Sequence, residues 1–218
     1  MSEPDFKAPR HIVVEGPIRV GKSTLAKALA EKLHARRLFD CEGAENPFLA
    51  DFYEEKPGAA FRAQMHFLYE RHSRLLELRM DGNAAPIVSD FLFEKDKIFA
   101  YINLDNEELK LYEKYFDLLA PSVPAPDLVI YLQAKLDVLR KRVSKKGDPA
   151  ETEISLEYLE AVASAYEHFF FRYSGSNLLV VDTSEIDFVE RNQDLQELLR
   201  RLRQPVKGTQ YFLPLGQS

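Results

Sequence analysis

Residues 11–24 read HIVVEGPIRVGKST, and their pattern decides the architecture. His11 to Glu15 is a short aliphatic run, Gly16 opens a turn, and from there Leu25, Leu29 and Leu33 recur every four residues beside Lys27, Glu31 and Lys32. This predicts a buried strand that feeds an amphipathic helix through a glycine-bearing turn. The turn, Gly16-Pro17-Ile18-Arg19-Val20-Gly21-Lys22-Ser23 followed by Thr24, fits G-x-x-x-x-G-K-[ST]. Its glycines let the backbone close around an anion, and the N–H groups at the helix start point into it. Lys22 has the reach for the β- and γ-phosphates of a nucleoside triphosphate, and the Ser23 hydroxyl suits Mg²⁺. The bland alternative is a glycine-containing strand-to-helix turn with an exposed lysine. For Arg19, a phosphate contact and a solvated side chain stay equally open.

Working outward, three more runs read as buried strands: Ala85 to Asp90, Asp127 to Gln133 and Leu178 to Asp182; Arg37 to Cys41 is a weaker fifth. Helical patterns fill the gaps, the longest from about Gly58 to Met80. Asp105 with Glu108, and Asp187 with Glu190, have capping-box spacing. Pro121, Pro124 and Pro126 mark a loop rather than a domain linker. Alternating strand and helix predicts one three-layer α/β domain over residues 1–218, ending in a tail from about 204 whose apolar residues include Tyr211, Phe212 and Leu213.

Composition narrows the partners. A formal net charge of -6 disfavours nucleic acid as the ligand, although a local basic pocket for a small phosphate is compatible with it. No apolar run suits a membrane span, and MSEPDFKAPR carries no hydrophobic leader, so the expected address is the cytoplasm. One cysteine, Cys41, excludes an internal disulfide. His66 and His72 lack a second metal-spaced pair and read as structural.

A phosphate loop specifies nucleotide binding but no reaction. The long helix carries Phe61, Gln64, Leu68, Arg71 and Leu75 on one face. Gln64 and Arg71 thus sit in an apolar stripe, where an unpaired polar group costs about 1–3 kcal/mol. Internal hydrogen bonds and a planar heterocyclic ligand both answer that need. In Arg140 to Lys146, Arg142 and Lys146 repel on one helix face, which is tolerable in solvent and useful over a triphosphate.

EGPIRVGKST, ENPFLADFY, FRAQMHFLYER, SDFLFEKDKIFA and RKRVSKKGDPAETEISLEYL occur in the order found in deoxynucleoside kinases, and the chain resembles their bacterial deoxyadenosine/deoxyguanosine branch over roughly residues 10–190. The resemblance implies a nucleotide-kinase fold with a five-stranded parallel sheet, a homodimer, and transfer of the γ-phosphoryl of ATP to a deoxynucleoside 5′-hydroxyl with Mg²⁺. It implies that Gln64 bonds the base with Arg71 near it, and that Tyr53 and Glu151 share the sugar 3′-hydroxyl. It places the general base after the second strand, at Glu42 or alternatively Glu45, and makes Asp90 a nucleoside-site and Mg²⁺ residue with Ser23. Phe91 stands after Asp90 where relatives carry an arginine, and Arg71, Lys95 and Lys97 are the candidates for its work. Arg142 and Lys146 become phosphate clamps in a lid of about 140–151, with Asp148 where relatives often carry a further arginine. Asp187 and Phe188 fall in the segment that lies against the ATP adenine. Two rivals are a thymidylate-type monophosphate kinase, which needs a cationic grip on its acceptor, and a catalytically silent nucleotide-binding subunit, which needs neither Lys22 nor a basic lid.

Overall fold

The computed structural model describes residues 9–40, 45–80, 85–146, 155–186, 188 and 191–213, side chains excepted at 79, 80, 146 and 192. The chain divides into two compact units. The first comprises Met1–Arg37, Ala85–Asp90 and Pro126–Ser218; the second comprises Leu38–Ala84 and Phe91–Ala125.

The first unit is organised by a parallel sheet. Strands β1 (His11–Glu15), β4 (Leu128–Gln133) and β5 (Asn177–Asp182) are buried almost throughout, because helices cover both faces of a parallel sheet and leave no polar side. With β2 (Arg36–Leu38), β3 (Ile87–Ser89) and β6 (Thr209–Phe212), the sheet order is β2-β3-β1-β4-β5-β6. Val13 pairs with Ser89 on one side of β1, and Val14 with Ile130 on the other. The strand order therefore reverses at β1, and the crevice beyond such a reversal is where open α/β sheets place ligands.

Helix α1 (Lys22–Leu33) buries Leu25, Ala26, Leu29 and Ala30, whereas Leu33 stays exposed beside the left-handed cap His34. Helices α6 (Leu136–Lys146), α7 (Leu156–Phe171) and α8 (Asn192–Leu202) complete this unit. Its core joins Leu25, Leu29, Ile130, Leu132, Leu139 and Leu198. In the second unit, α3 (Ala59–Met80), α4 (Lys95–Asn103) and α5 (Asn106–Leu119) gather around Leu68, Leu75, Phe91, Phe93, Tyr112 and Phe116, and the short α2 (Leu49–Tyr53) lies against α3. Among the described residues no helix is long and apolar enough to cross a membrane.

The expected five-stranded sheet has six strands. The addition is β6, formed by part of the expected tail, where Val180 pairs with Tyr211 and Val181 with Phe212. The capping box at Asp105 and Glu108 is present, with both reciprocal bonds. The last helix begins at Asn192, with Arg191 at the N-cap position and no side-chain capping bond; Asp187 and Glu190 lie outside the described residues.

Candidate active site

In the first unit, β1 ends on Glu15, which is fully buried. Its Oε1 accepts the Gly16 N–H at 2.9 Å and the Tyr166 hydroxyl at 3.1 Å, so the carboxylate fixes the start of the phosphate loop. At Gly16 the backbone runs so close to β4 that a Cβ would stand 2.3 Å from the Leu132 carbonyl oxygen and 2.9 Å from Val20 Cγ1. Only glycine fits there. Pro17 and Val20 are buried, Ile18 is half-buried, and Arg19 adopts the left-handed region at φ 61°.

Gly21 caps α1 in the left-handed region at φ 109°, without a side-chain bond to the helix end. The opening N–H groups of α1 consequently face the loop as anion donors rather than a capping hydroxyl. Lys22 Nζ donates to the carbonyls of Gly16 at 2.8 Å and Pro17 at 3.0 Å, which sets the ammonium inside its own loop. Ser23 and Thr24 are exposed on the first turn, and Asp90 is 5 % exposed at the carboxyl end of β3.

Arg142 occupies an unexpected place. Its Nη1 donates to the Val20 carbonyl at 3.2 Å and to Thr183 Oγ1 at 3.1 Å. Its Nη2 donates to the carbonyls of Thr183 at 2.8 Å and Ile186 at 3.2 Å. The guanidinium thus straps the end of the phosphate loop to the segment after β5. Phe188, in that segment, is buried in the core of the first unit.

Ser23 and Asp90 are the two expected metal residues. Among the described residues there is no group of three or more His, Cys, Asp or Glu that could hold a metal ion. A hydroxyl and a carboxylate are hard oxygen donors of the kind used by Mg²⁺, an ion that takes one or two protein oxygens and fills its octahedron with phosphates and water. That pair remains an expectation for this chain, and it does not fit a structural zinc site.

The second unit holds a chain of alternating charges. Arg71 donates from Nε to Asp40 Oδ1 at 2.9 Å and from Nη2 to Asp40 Oδ2 at 3.1 Å, and its Nη1 bonds Asp96 Oδ2. Lys95 Nζ donates to Asp40 Oδ2 at 2.5 Å. Asp96 Oδ1 also accepts from Gln64 Nε2 and from the Tyr112 hydroxyl at 2.9 Å. The Arg71 guanidinium lies 4.9 Å from the Phe67 ring centroid. Burial works against the Asp40 charge, yet Arg71 and Lys95 outweigh it and hold the carboxyl well below its ordinary range. At Asp96 burial prevails over Arg71 and pushes the pKa up. Donors nonetheless face both Asp96 oxygens, so it accepts as a carboxylate. Burial and that carboxylate raise the Tyr112 pKa and keep its hydroxyl protonated.

The sequence thus placed Gln64 and Arg71 correctly on one buried face of α3, and the structure supplies their internal partners. It does not bring Lys97 into this cluster: that ammonium lies 4.2 Å from the Phe116 centroid and 3.7 Å from Asp117. Glu45 donates nothing to the cluster either, since its exposed carboxylate accepts from Arg74 Nη2 at 2.5 Å. Tyr53 ends α2 and is exposed, with its ring against Phe52. Glu42, Glu151, Asp148 and Asp187, together with the Lys146 side chain, lie outside the described residues. Glu15, Asp40, Tyr112, Tyr166 and Thr183 are the members sequence reasoning passed over.

Residues 12–207 match the family model described as deoxynucleoside kinase. The deoxyguanosine kinase of Bacillus subtilis is 31% identical over 199 residues, covering 88% of this chain and 96% of that protein. The deoxyadenosine kinase of Lactobacillus acidophilus is 28% identical over 211 residues, covering 90% and 96%. Among solved structures, deoxyadenosine kinase from M. mycoides with bound dATP superposes at a TM-score of 0.76, with 24% identity over 89% of this chain and all of that one.

Proposed function

The chain belongs to the deoxynucleoside kinase family, a family of phosphotransferases, and on that premise we propose that it moves the γ-phosphoryl of ATP to the 5′-hydroxyl of a purine deoxynucleoside in nucleotide salvage. The purine preference follows the relatives that phosphorylate deoxyguanosine and deoxyadenosine. The observation that carries the reading is the charge balance of the Gln64 cluster. Arg71 and Lys95 face Asp40 and Asp96, two cations against two carboxylates, within a buried polar network. Such a network suits an uncharged acceptor. A monophosphate acceptor calls for cations not already matched by acids, so the thymidylate-type rival is disfavoured.

In this reading Gly16 to Thr24 cradle the triphosphate, with loop and α1 N–H groups on its oxygens. Lys22 neutralises charge on the β- and γ-phosphates, and Arg142 braces the loop against the segment after β5. When bound, Mg²⁺ would supply charge neutralisation across the β- and γ-phosphates, with Ser23 and Asp90 as its protein-side oxygens. Gln64 bonds the base, Arg71 supports it, and Tyr53 and Glu151 hold the 3′-hydroxyl. Glu42 takes the 5′-hydroxyl proton as oxygen attacks phosphorus. Lys146 adds charge to the lid, and Asp187 with Phe188 meets the donor base. Lys95, fixed on Asp40, is the best-supported replacement for the arginine that relatives carry after the third strand.

The reading includes a single kinase domain, a cytoplasmic setting and a homodimer. For the dimer, Leu111, Tyr115 and Leu118 are exposed on α5 at four- and three-residue spacing, a stripe suited to a second copy. The test is ATP consumption with each deoxynucleoside and each monophosphate, for the native chain and for Glu42→Gln. Turnover with free nucleosides, lost in the variant, is expected. Turnover with monophosphates alone refutes the acceptor, and full activity in Glu42→Gln refutes the assigned base.

A further inference from the structure

Arg19 sits in a backbone conformation that arginine does not favour. The Val20 N–H donates to the Pro17 carbonyl at 3.3 Å, closing a turn whose third residue, Arg19, has φ 61°. A turn with a left-handed third residue selects glycine or asparagine. The other non-glycine residues described with such a φ are His34 at 50° and Glu55 at 54°. Both lie just past a helix end, where the conformation is routine. Arg19 instead lies half-buried inside the phosphate loop. Nor can the turn relax, because Glu15 holds the Gly16 N–H before it and Arg142 holds the Val20 carbonyl after it. Strain that the surroundings hold in place in this way points to a working side chain.

The need for positive charge says what that work is. Within residues 16–24 the cations are Arg19 and Lys22. Arg142, expected over the phosphates, commits all four Nη hydrogens to Val20, Thr183 and Ile186. Phosphoryl transfer still spreads negative charge over the moving group, and a lone ammonium meets only part of it. We propose that Arg19 is a catalytic residue whose guanidinium contacts the γ-phosphoryl of ATP from within the loop. This rests on the kinase reading. As the 5′-oxygen bonds to the γ-phosphorus, the bond to the β,γ-bridging oxygen breaks. ADP keeps that electron pair, and the hydroxyl proton passes to Glu42. Arg19 exchanges no proton; its planar fork donates to the γ-oxygens, most strongly as their charge spreads.

The discriminating variant is Arg19→Gly, which removes the guanidinium and suits the left-handed turn, so the loop keeps its shape. With deoxyadenosine or deoxyguanosine as acceptor, its kcat is expected to fall by about 100-fold or more. By calorimetry, ATP should bind about tenfold more weakly, whereas ADP, which lacks the γ-phosphoryl, should bind within about twofold of the native affinity. The thermal midpoint should hold or rise as the strain is relieved. Arg19→Lys, which keeps the charge without the fork, should recover part of the lost kcat. A near-native kcat in Arg19→Gly overturns the inference while leaving the kinase reading intact. So does an equal loss of affinity for ATP and ADP, which would mean that Arg19 serves the shape of the loop. If the native chain phosphorylates no acceptor, the kinase reading falls and this inference with it.

Discussion

Arg71 grips Asp40 through two nitrogens, at 2.9 Å and 3.1 Å, and Lys95 bonds the same carboxylate at 2.5 Å. Asp40 thus meets two cations that are each about 95 % buried, while Arg71 also pairs with Asp96. Removing Asp40 takes from Lys95 and Arg71 a shared carboxylate in a buried setting, where breaking such a pair costs about 3 kcal/mol. Asp40→Ala should therefore lower the urea-unfolding free energy by about that amount; an unchanged midpoint would contradict the pairing. The folded pKa lies below the ordinary value of 3.8, so this contribution is full above that range and is lost as pH falls through the folded value.

His11 titrates in a milder window. Burial lowers its pKa from 6.5 to about 4, against the opposing pull of Asp127. Its Nε2 lies 3.1 Å from Ser89 Oγ. The unfolded chain therefore binds a proton that the folded chain refuses between these values, and stability falls as pH drops from 6.5 toward 4. The expected contribution is about 3 kcal/mol across the window. Unfolding titrations at pH 7 and pH 5 should show the slope, and His11→Gln should flatten it.

The Arg142 strap predicts a split between donor and acceptor. In Arg142→Met the end of the phosphate loop loses its tie to Thr183 and Ile186. The KM for ATP should rise about tenfold, as expected for loss of a few charge-assisted bonds, with the KM for the nucleoside little changed. Equal rises for both substrates would show that Arg142 serves the fold at large.

At Gly16 a single methyl group suffices as a probe. A Cβ there meets the Leu132 carbonyl at 2.3 Å, so Gly16→Ala must displace the loop from β4. ATP binding, measured by calorimetry, should weaken by at least about tenfold while the far-ultraviolet spectrum stays native. Unaltered affinity would mean that the loop does not need this approach.

The parts readable in advance were those encoded locally. The phosphate loop declares itself because backbone geometry and helix onset demand glycine, lysine and a hydroxyl within nine residues. The α3 stripe shows Gln64 and Arg71 as buried because helical period alone reveals a face. Their partners were not readable. Asp40 precedes Arg71 by 31 positions and Asp96 follows it by 25, and nothing local marks either as its counter-ion. Glu15 reads only as the last residue of a buried strand, because nothing local marks Tyr166, 151 residues away, as the partner of its carboxylate. Strand β6 escaped because Thr209 to Phe212 alternate between exposed and half-buried and never form the apolar run of a central strand.

The central claim is phosphoryl transfer to a free nucleoside, and the most direct measurement follows the label from γ-³²P-ATP. With deoxyadenosine or deoxyguanosine as acceptor, the account predicts labelled 5′-monophosphate, and at least about a 100-fold lower rate in Lys22→Met, which removes the charge on the transferring group. Label appearing only in diphosphates made from added monophosphates, or no transfer to any acceptor, would contradict it.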